Sequence, residues 1–278
     1  MPDQSRDVYA LFGNPVGHSL SPAMHNAAYR EMGVRSLYVP FCVKDLTDAV
    51  KGLKALGIKG ASITIPFKTA IIPLLDEVEP LARDIGAVNT VADRGGRLIG
   101  INTDWIGISL SLKAYFAVFG KTFAVLGAGG AARAAVAAVE KGGGRAVVLS
   151  RNEQKGAELS DRFGCRSVPL EKIDEVRADC LINTTPVGMF PLIDESPLSA
   201  GSLARFRWVM DTIYNPLETK LMREARLAGC KVISGLDMFI HQGAEQIKFW
   251  MDREPPRKLM RDTVIQILKM EAGHDGNR

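Results

Sequence analysis

Short unbroken apolar runs alternate along this chain with longer segments in which apolar residues recur every three or four positions. Such a pattern predicts strands alternating with helices. In the first part, strands are predicted over residues 8–12, 37–43 and 61–65 and helices over 22–32 and 46–56, with helical turns over 69–75. Two further strands, 87–92 and 98–101, flank a turn at Gly95-Gly96. A helix over 105–119 leads into a second alternating region, whose first strands are 123–126 and 146–149. Later strand candidates are 180–183, 208–213 and 232–234, and two helical segments, 236–252 and 257–271, close the pattern around Pro255-Pro256. The fold class is therefore α/β, with a domain boundary near Asp104.

One stretch carries more information than the rest: KTFAVLGAGGAARAAVAAVEKGGGRAVVLSR, residues 121–151. The first strand stops at Gly127, and the turn Gly127-Ala128-Gly129-Gly130-Ala131 opens directly into an alanine-rich helix. That helix ends at Gly142 to Gly144 before the second strand. A strand, a glycine turn, a helix and a strand make one βαβ unit. Small residues there let an anion approach the backbone at the positive end of the helix. The spacing Gly127-x-Gly129-x-x-Ala132 fits the dinucleotide fingerprint in its alanine variant. After the second strand an NAD site would place Asp or Glu; here stand Ser150, Arg151 and Asn152, with Lys155 one turn on. Two cations suit a 2′-phosphate, so NADP is expected, although solvated surface charges are the plainer account of Arg151 and Lys155.

Composition narrows the class. A hydrophobic content of 46% without a membrane-length apolar run predicts a soluble chain, and the first residues lack a basic-then-apolar leader pattern. A cytoplasmic location is expected. The four cysteines, Cys42, Cys165, Cys180 and Cys230, are far apart with no CxxC, which argues for reduced thiols and against a metal site. The excess of four basic residues is dispersed, favouring a small anionic ligand over nucleic acid or membrane. Oligomeric state is left open, a homodimer included.

Four polar features of the first half are poorly explained by folding alone. In GHSLSPAMH, Ser19 and Ser21 precede Pro22 at a helix start, where Ser21 is a natural N-cap and the pair of hydroxyls is also a carboxylate site. Lys68 follows Pro66, where a helix is expected to begin, at the wrong end of the dipole for a cation. It is either a solvated loop lysine or one held short of solvent for proton transfer. Asn89 places an amide in an otherwise apolar strand, and Asp104 stands at the N-cap position of the next helix. Beside a lysine in a cleft, Asp104 would complete an acid/base pair.

Together these residues resemble the shikimate dehydrogenase family. YALFGNPVGHSLSPAMHN, ITIPFK, GAVNT, GINTD, GAGGAAR, INTTPVGM, YNPLET and GLDMFIHQGA follow in that family's order, covering roughly residues 8 to 250. The resemblance implies a substrate-binding α/β domain (1–104), a Rossmann-type NADP-binding domain (105–235) with a cleft between them, and C-terminal helices (236–278) returning to the first domain. It further implies reversible NADPH-dependent reduction of 3-dehydroshikimate to shikimate in aromatic amino-acid (chorismate) biosynthesis. Carried over by position, Ser19, Ser21 and Tyr214 would bind the carboxylate, and Thr64, Asn89, Asp104 and Gln242 the ring hydroxyls. Lys68 and Asp104 would be the catalytic pair. Gly235 and Met238 would lie near the nicotinamide and Thr185 near the ribose or phosphates, with the turn residues, Ser150, Arg151, Asn152 and Lys155 holding the rest. His18, His25 and His241 have no catalytic role in this picture.

Three positions depart from the family pattern: Ser62 replaces the usual Asn, Ser150-Arg151-Asn152 replaces Asn-Arg-Thr or Asn-Arg-Ser, and Asp237 replaces a common Gly. The rivals are a quinate or dual quinate/shikimate dehydrogenase and a non-catalytic NADP-responsive regulator. Ser21 argues against the first. Lys68, Asn89 and Asp104 would be unexplained by the second.

Overall fold

The computed structural model of the chain describes residues 6–275. Internal contacts divide it into two compact units. One comprises the residues up to Thr103 and those from Gln242 on; the other is continuous, Asp104–His241.

The first unit contains β1 (Asp7–Gly13), α1 (Ser21–Glu31), β2 (Ser36–Cys42), α2 (Leu46–Ala55), β3 (Gly60–Ile63), β4 (Glu77–Val78), α3 (Pro80–Ile85), β5 (Thr90–Arg94) and β6 (Arg97–Ile101). Its sheet runs β2-β1-β3-β5-β6-β4. The β2-β1-β3 part is parallel, whereas β5 is antiparallel to both β3 and β6. Alternate residues of these strands face opposite sides. Ala10, Phe12, Ala61, Ile63, Val91 and Leu98 pack on one side against Val50 and Leu53 of α2. Tyr9 and Tyr38 turn to the other, where they meet rings from α1 and from a later helix.

The second unit contains α4 (Asp104–Lys113), β7 (Thr122–Leu126), α5 (Gly130–Lys141), β8 (Arg145–Ser150), α6 (Glu153–Phe163), β9 (Arg166–Pro169), β10 (Cys180–Asn183), α7 (Ala200–Leu203), β11 (Trp208–Asp211), α8 (Lys220–Leu227) and β12 (Lys231–Ile233). All its strand pairs are parallel, in the order β12-β11-β10-β7-β8-β9. This is the doubly wound order, which reverses between β7 and β10. Both faces are covered, so the strands read as continuous apolar runs. Phe123, Val125, Val148 and Ile182 point to a core shared with α4 and α5, while Ala124, Leu126, Leu149 and Leu181 point to one shared with Leu203 and Leu221.

Two helices follow, α9 (Gly235–Met251) and α10 (Arg257–Asp275). The boundary between the two units falls within α9, after His241, and α10 packs on α1. No helix among the described residues is long and apolar enough to cross a membrane.

Three elements differ from the pattern reading. The helix expected over 105–119 ends at Lys113 because Tyr115 N–H bonds back to Leu112 O, tightening the last turn. Val118 then enters the core from irregular chain. No strand begins at Ala87: the backbone there is satisfied from outside a ladder, Val88 N–H by Lys68 O and Ala87 O by the Asn102 side chain, so β5 starts at Thr90. The helical turns expected over 69–75 are present and end in one short 3-10 segment, Ile72–Leu74, but the helix start expected after Pro66 is missing, and Lys68 sits in a turn.

Candidate active site

The turn after β7 has two different reasons for glycine. Gly127 has φ +112°, which L side chains rarely adopt, and a Cβ there would lie 2.8 Å from Thr184 Oγ1. Gly129 has an ordinary extended backbone, and a Cβ would meet nothing within 4 Å. Protein packing therefore does not require its bareness. As the N-cap of α5 it offers no side-chain bond to the first N–H groups of the helix. Open space beside unsatisfied donors and a positive dipole end suits phosphate oxygens. Ala128, Gly130 and Ala131 are half-buried and add little bulk.

At the end of β8, Arg151 and Lys155 are exposed, while Ser150 is buried with its Oγ accepting from Asn152 N–H at 3.2 Å. Asn152 caps α6, its Oδ1 accepting from Lys155 N–H at 2.9 Å. Two exposed cations, with Arg151 directly after the strand and the first acid, Glu153, only inside α6, fit a dinucleotide bearing a 2′-phosphate.

Thr185 follows β10, next to the sheet's order reversal. Its hydroxyl and N–H both donate to Asn183 Oδ1, at 2.7 and 3.0 Å. Asn183 Nδ2 in turn donates to Asp211 Oδ1 at 3.1 Å, which also receives Ile213 N–H at 3.1 Å, and Thr219 Oγ1 donates to Asp211 Oδ2 at 2.7 Å. Burial pushes the Asp211 carboxyl up to about 6 against the pull of these three donors. Sequence reasoning missed Asn183, Asp211 and Thr219. The available signal was a polar residue closing each of the apolar runs CLIN and WVMD.

Tyr214 is half-buried and stacks on Phe239, ring centroids 3.9 Å apart. Gly235 has a packing reason of its own, since a Cβ would stand 2.3 Å from Ile213 O. Met238 is buried among Ile108, Val125 and Met210, and Asp237 N–H bonds to Ser234 O.

In the first unit the helix-start reading needs correction. Ser21 is the first residue of α1, and the N-cap, Leu20, makes no side-chain cap. Ser19 instead receives Ser21 N–H at 3.3 Å on its Oγ, so the serine without an obvious structural excuse does the capping. Ser21 is buried and Ser19 half-buried. Thr64 follows β3, its N–H bonded to Phe12 O. Lys68 is half-buried in a turn rather than at a helix N-terminus, so the unfavourable dipole argument does not apply. Its carbonyl holds Val88 N–H at 2.7 Å, which sets the Lys68 and Asn89 segments side by side.

Asn89 precedes β5 and is buried, with Thr103 bonded to both ends of its amide. Asp104, also buried, is the first residue of α4 rather than the one before it. Gln242 is buried on α9.

His25 is fully buried, stacked on Tyr38 at 4.2 Å, with Nδ1 donating to Ser21 O at 2.9 Å. Nε2 has no hydrogen-bond partner among the described residues, although the nearby Gln246 side chain pulls the pKa up against burial. Burial lowers its pKa to about 4. Between pH 6.5 and 4 the unfolded chain takes up a proton that the native imidazole refuses, so this residue's share of stability falls with acid. Asp211 runs the other way from 3.8 to about 6, because there the native carboxyl keeps a proton the unfolded one releases. His25→Phe keeps the stacking and removes the titration. Relative to the native protein it should gain about 2.5 kcal/mol for the first unit's transition between pH 7.5 and 4.5. Calorimetry at the two pH values checks this, and an unchanged difference refutes a neutral buried His25.

Comparison with known proteins identifies the family. Residues 11–91 match the model of the shikimate dehydrogenase substrate binding domain, and residues 235–265 that of the shikimate 5'-dehydrogenase C-terminal domain. A shikimate dehydrogenase (NADP(+)) of Moorella thermoacetica is 43% identical, covering 97% of this chain and 96% of that protein. The crystal structure of a Thermus thermophilus shikimate 5-dehydrogenase in complex with NADP(H) and shikimate superposes with a TM-score of 0.85 at 38% identity, covering 94% and 99% of the two chains. A ligand-free 5-ketofructose reductase of Gluconobacter superposes at 0.82 with 31% identity over 95% and 99%, so the architecture by itself does not choose the ketone. Identity and coverage at these levels decide the relationship: the chain belongs to the shikimate dehydrogenase family.

Proposed function

We propose that the chain is an NADP-dependent shikimate dehydrogenase, interconverting 3-dehydroshikimate and shikimate on the route to chorismate and the aromatic amino acids. The observation that carries this reading is the 43% identity, over nearly the whole of both chains, to an NADP(+) enzyme of that name. The bare Gly129 at the head of α5, with Arg151 beyond β8, supports the cofactor part.

Residues up to 104 would bind the substrate, 105–235 the cofactor, and the last helices would complete the substrate side. Gly127, Ala128, Gly129, Gly130 and Ala131 would cradle the pyrophosphate, with Ser150, Arg151, Asn152 and Lys155 around the 2′-phosphate and Thr185, Gly235 and Met238 toward the ribose and nicotinamide. NADPH, when bound, supplies the hydride. Ser19, Ser21 and Tyr214 hold the substrate carboxylate, and Thr64, Asn89 and Gln242 orient its hydroxyls. Lys68, as ammonium, gives its proton to the carbonyl oxygen and stabilises the negative charge developing there; Asp104 hydrogen-bonds the same oxygen once protonated and steers the lysine.

The cytoplasm is the proposed location, and a homodimer the proposed state, since edge strand β2 exposes Leu37 and Phe41. Light scattering reporting a monomer at micromolar concentration would remove the dimer.

The test is NADPH oxidation at 340 nm with 3-dehydroshikimate, run beside NADH and, in reverse, with shikimate against quinate. Arg151→Ala should raise the KM for NADP by roughly one to two decades and leave that for NAD unchanged. Equal use of NADPH and NADH by the native enzyme contradicts the cofactor assignment, and turnover of quinate alone contradicts the substrate.

A further inference from the structure

Behind Asn89 lies a path of hydrogen bonds through six side chains of the first unit, none more than 6% exposed: Tyr38, Ser62, Gln246, Thr90, Asn89 and Thr103. Tyr38 OH donates to Ser62 Oγ at 2.6 Å, and Ser62 donates to Gln246 Oε1 at 2.9 Å. Gln246 Nε2 donates to Thr90 Oγ1 at 3.0 Å and to Asn89 O at 3.2 Å. Thr90 donates onward to Asn89 Oδ1 at 2.8 Å. Asn89 Oδ1 also takes Thr103 N–H at 2.7 Å, and its Nδ2 donates to Thr103 Oγ1 at 3.0 Å.

Two main-chain groups fix the sense of both amides. Asn89 O can only accept, so the end of Gln246 facing it is the NH2 group. Thr103 N–H can only donate, so the end of Asn89 facing it is the oxygen. Between them the Thr90 hydroxyl accepts from Gln246 and donates to Asn89. Ser62 and Thr90 are opposed Cα partners across β3 and β5, and a single glutamine from α9 bridges the pair. Gln242 lies one turn before it on α9, and Trp250 one turn after, bonded to Val91 O.

We infer that Gln246 is a positioning residue for the substrate: through Thr90 it braces the Asn89 amide, whose sense Thr103 N–H sets, beside Thr103, the neighbour of Asp104. The inference rests on the proposed role of Asn89 toward the substrate hydroxyls. Without Gln246, Thr90 loses its donor and its hydroxyl is free to turn, so the amide of Asn89 is no longer held from that side. Ser62, bonded to Tyr38 and Gln246, belongs to this lock rather than to a direct ligand set.

The experiment is steady-state kinetics on the full chain with Gln246→Met, Thr90→Val and Thr90→Ser, each with NADP affinity measured by titration. Gln246→Met and Thr90→Val should each raise the KM for shikimate about tenfold, as for a lost buried hydrogen bond, with NADP affinity unchanged. Thr90→Ser keeps the hydroxyl and should stay within about twofold of native. A purely structural network predicts lower melting temperatures with an unaltered shikimate KM, and that result overturns the proposal. If Gln246→Met fails to fold, Thr90→Val, nearly the same in shape, decides alone. Adding Gln246→Met to Asn89→Ala should change KM by less than about threefold, because the two act in series; a full further tenfold also overturns it. Should Asn89→Ala leave KM unchanged, the substrate role of Asn89 falls and takes this inference with it. Should Asn89→Ala raise KM while Gln246→Met does not, only the inference falls.

Discussion

Lys68→Met is expected to lower kcat by roughly two to four decades with little change in KM, because a proton donor acts on the transition state more than on bound substrate. Methionine keeps an unbranched stem of similar reach while removing charge and proton. The fold should tolerate it: Lys68 is half-buried in a turn, and the bond that ties this turn to Val88 comes from its main-chain carbonyl, which the substitution leaves in place. Asp104→Asn should also lower kcat, and the double variant should be little worse than the poorer single one, as for groups acting together. Steady-state shikimate oxidation across pH, with NADP titration as the control for folding, measures this. A Lys68→Met protein that binds NADP and turns over near the native rate removes the lysine from the chemistry.

Asp211→Ala should cost the second unit several kcal/mol. The site is fully buried, and truncation strands the Asn183 amide, the Thr219 hydroxyl and Ile213 N–H together. Each stranded donor costs about 1–3 kcal/mol, which for a unit of this size lowers its melting temperature by something on the order of 10 °C. Because Asn183 also receives Thr185, the KM for NADP should rise in the same variant, ahead of any change in shikimate KM. Asp211→Asn keeps one acceptor oxygen and should lose less. Calorimetry showing the alanine variant within about 2 °C of native would mean the carboxylate holds neither segment.

How much of this was legible depends on whether the information was local. The glycine turn could be read because the change from strand to helix occurs within a few residues, and its meaning follows from that order alone. Helix 105–119 was overread because Phe116 and Val118 continue an apolar rhythm that the core uses through irregular chain. Asn89 is a buried amide as expected but stands one residue before β5; its C=O and N–H still bond to Ile63 N–H and Ile101 O of the flanking strands, so the strand pattern runs through it. Ser21 and Ser19 exchanged capping duties for a similar reason: Pro22 marks the helix start to within one residue, and a cap depends on that one residue. Gln246 was invisible because its partners Ser62, Thr90 and Asn89 lie more than 150 positions away. Asp211 and Asn183 looked like ordinary strand ends, and only the parallel pairing of β10 with β11 makes them neighbours.

The division of the chain bears on the order in which its parts fold. Residues 104–241 form a unit contiguous in sequence, so they can collapse as soon as they leave the ribosome. The first unit, although synthesised earlier, lacks part of its sheet covering until α9 appears. Until then the polar pair Ser62 and Thr90 has no Gln246, and Val91 O has no Trp250. The first-made strands must therefore wait in an unfinished state while the middle of the protein folds. In a pulse-labelled translation series, protease resistance of the early segment should arrive last, only after residue 251 has cleared the exit tunnel.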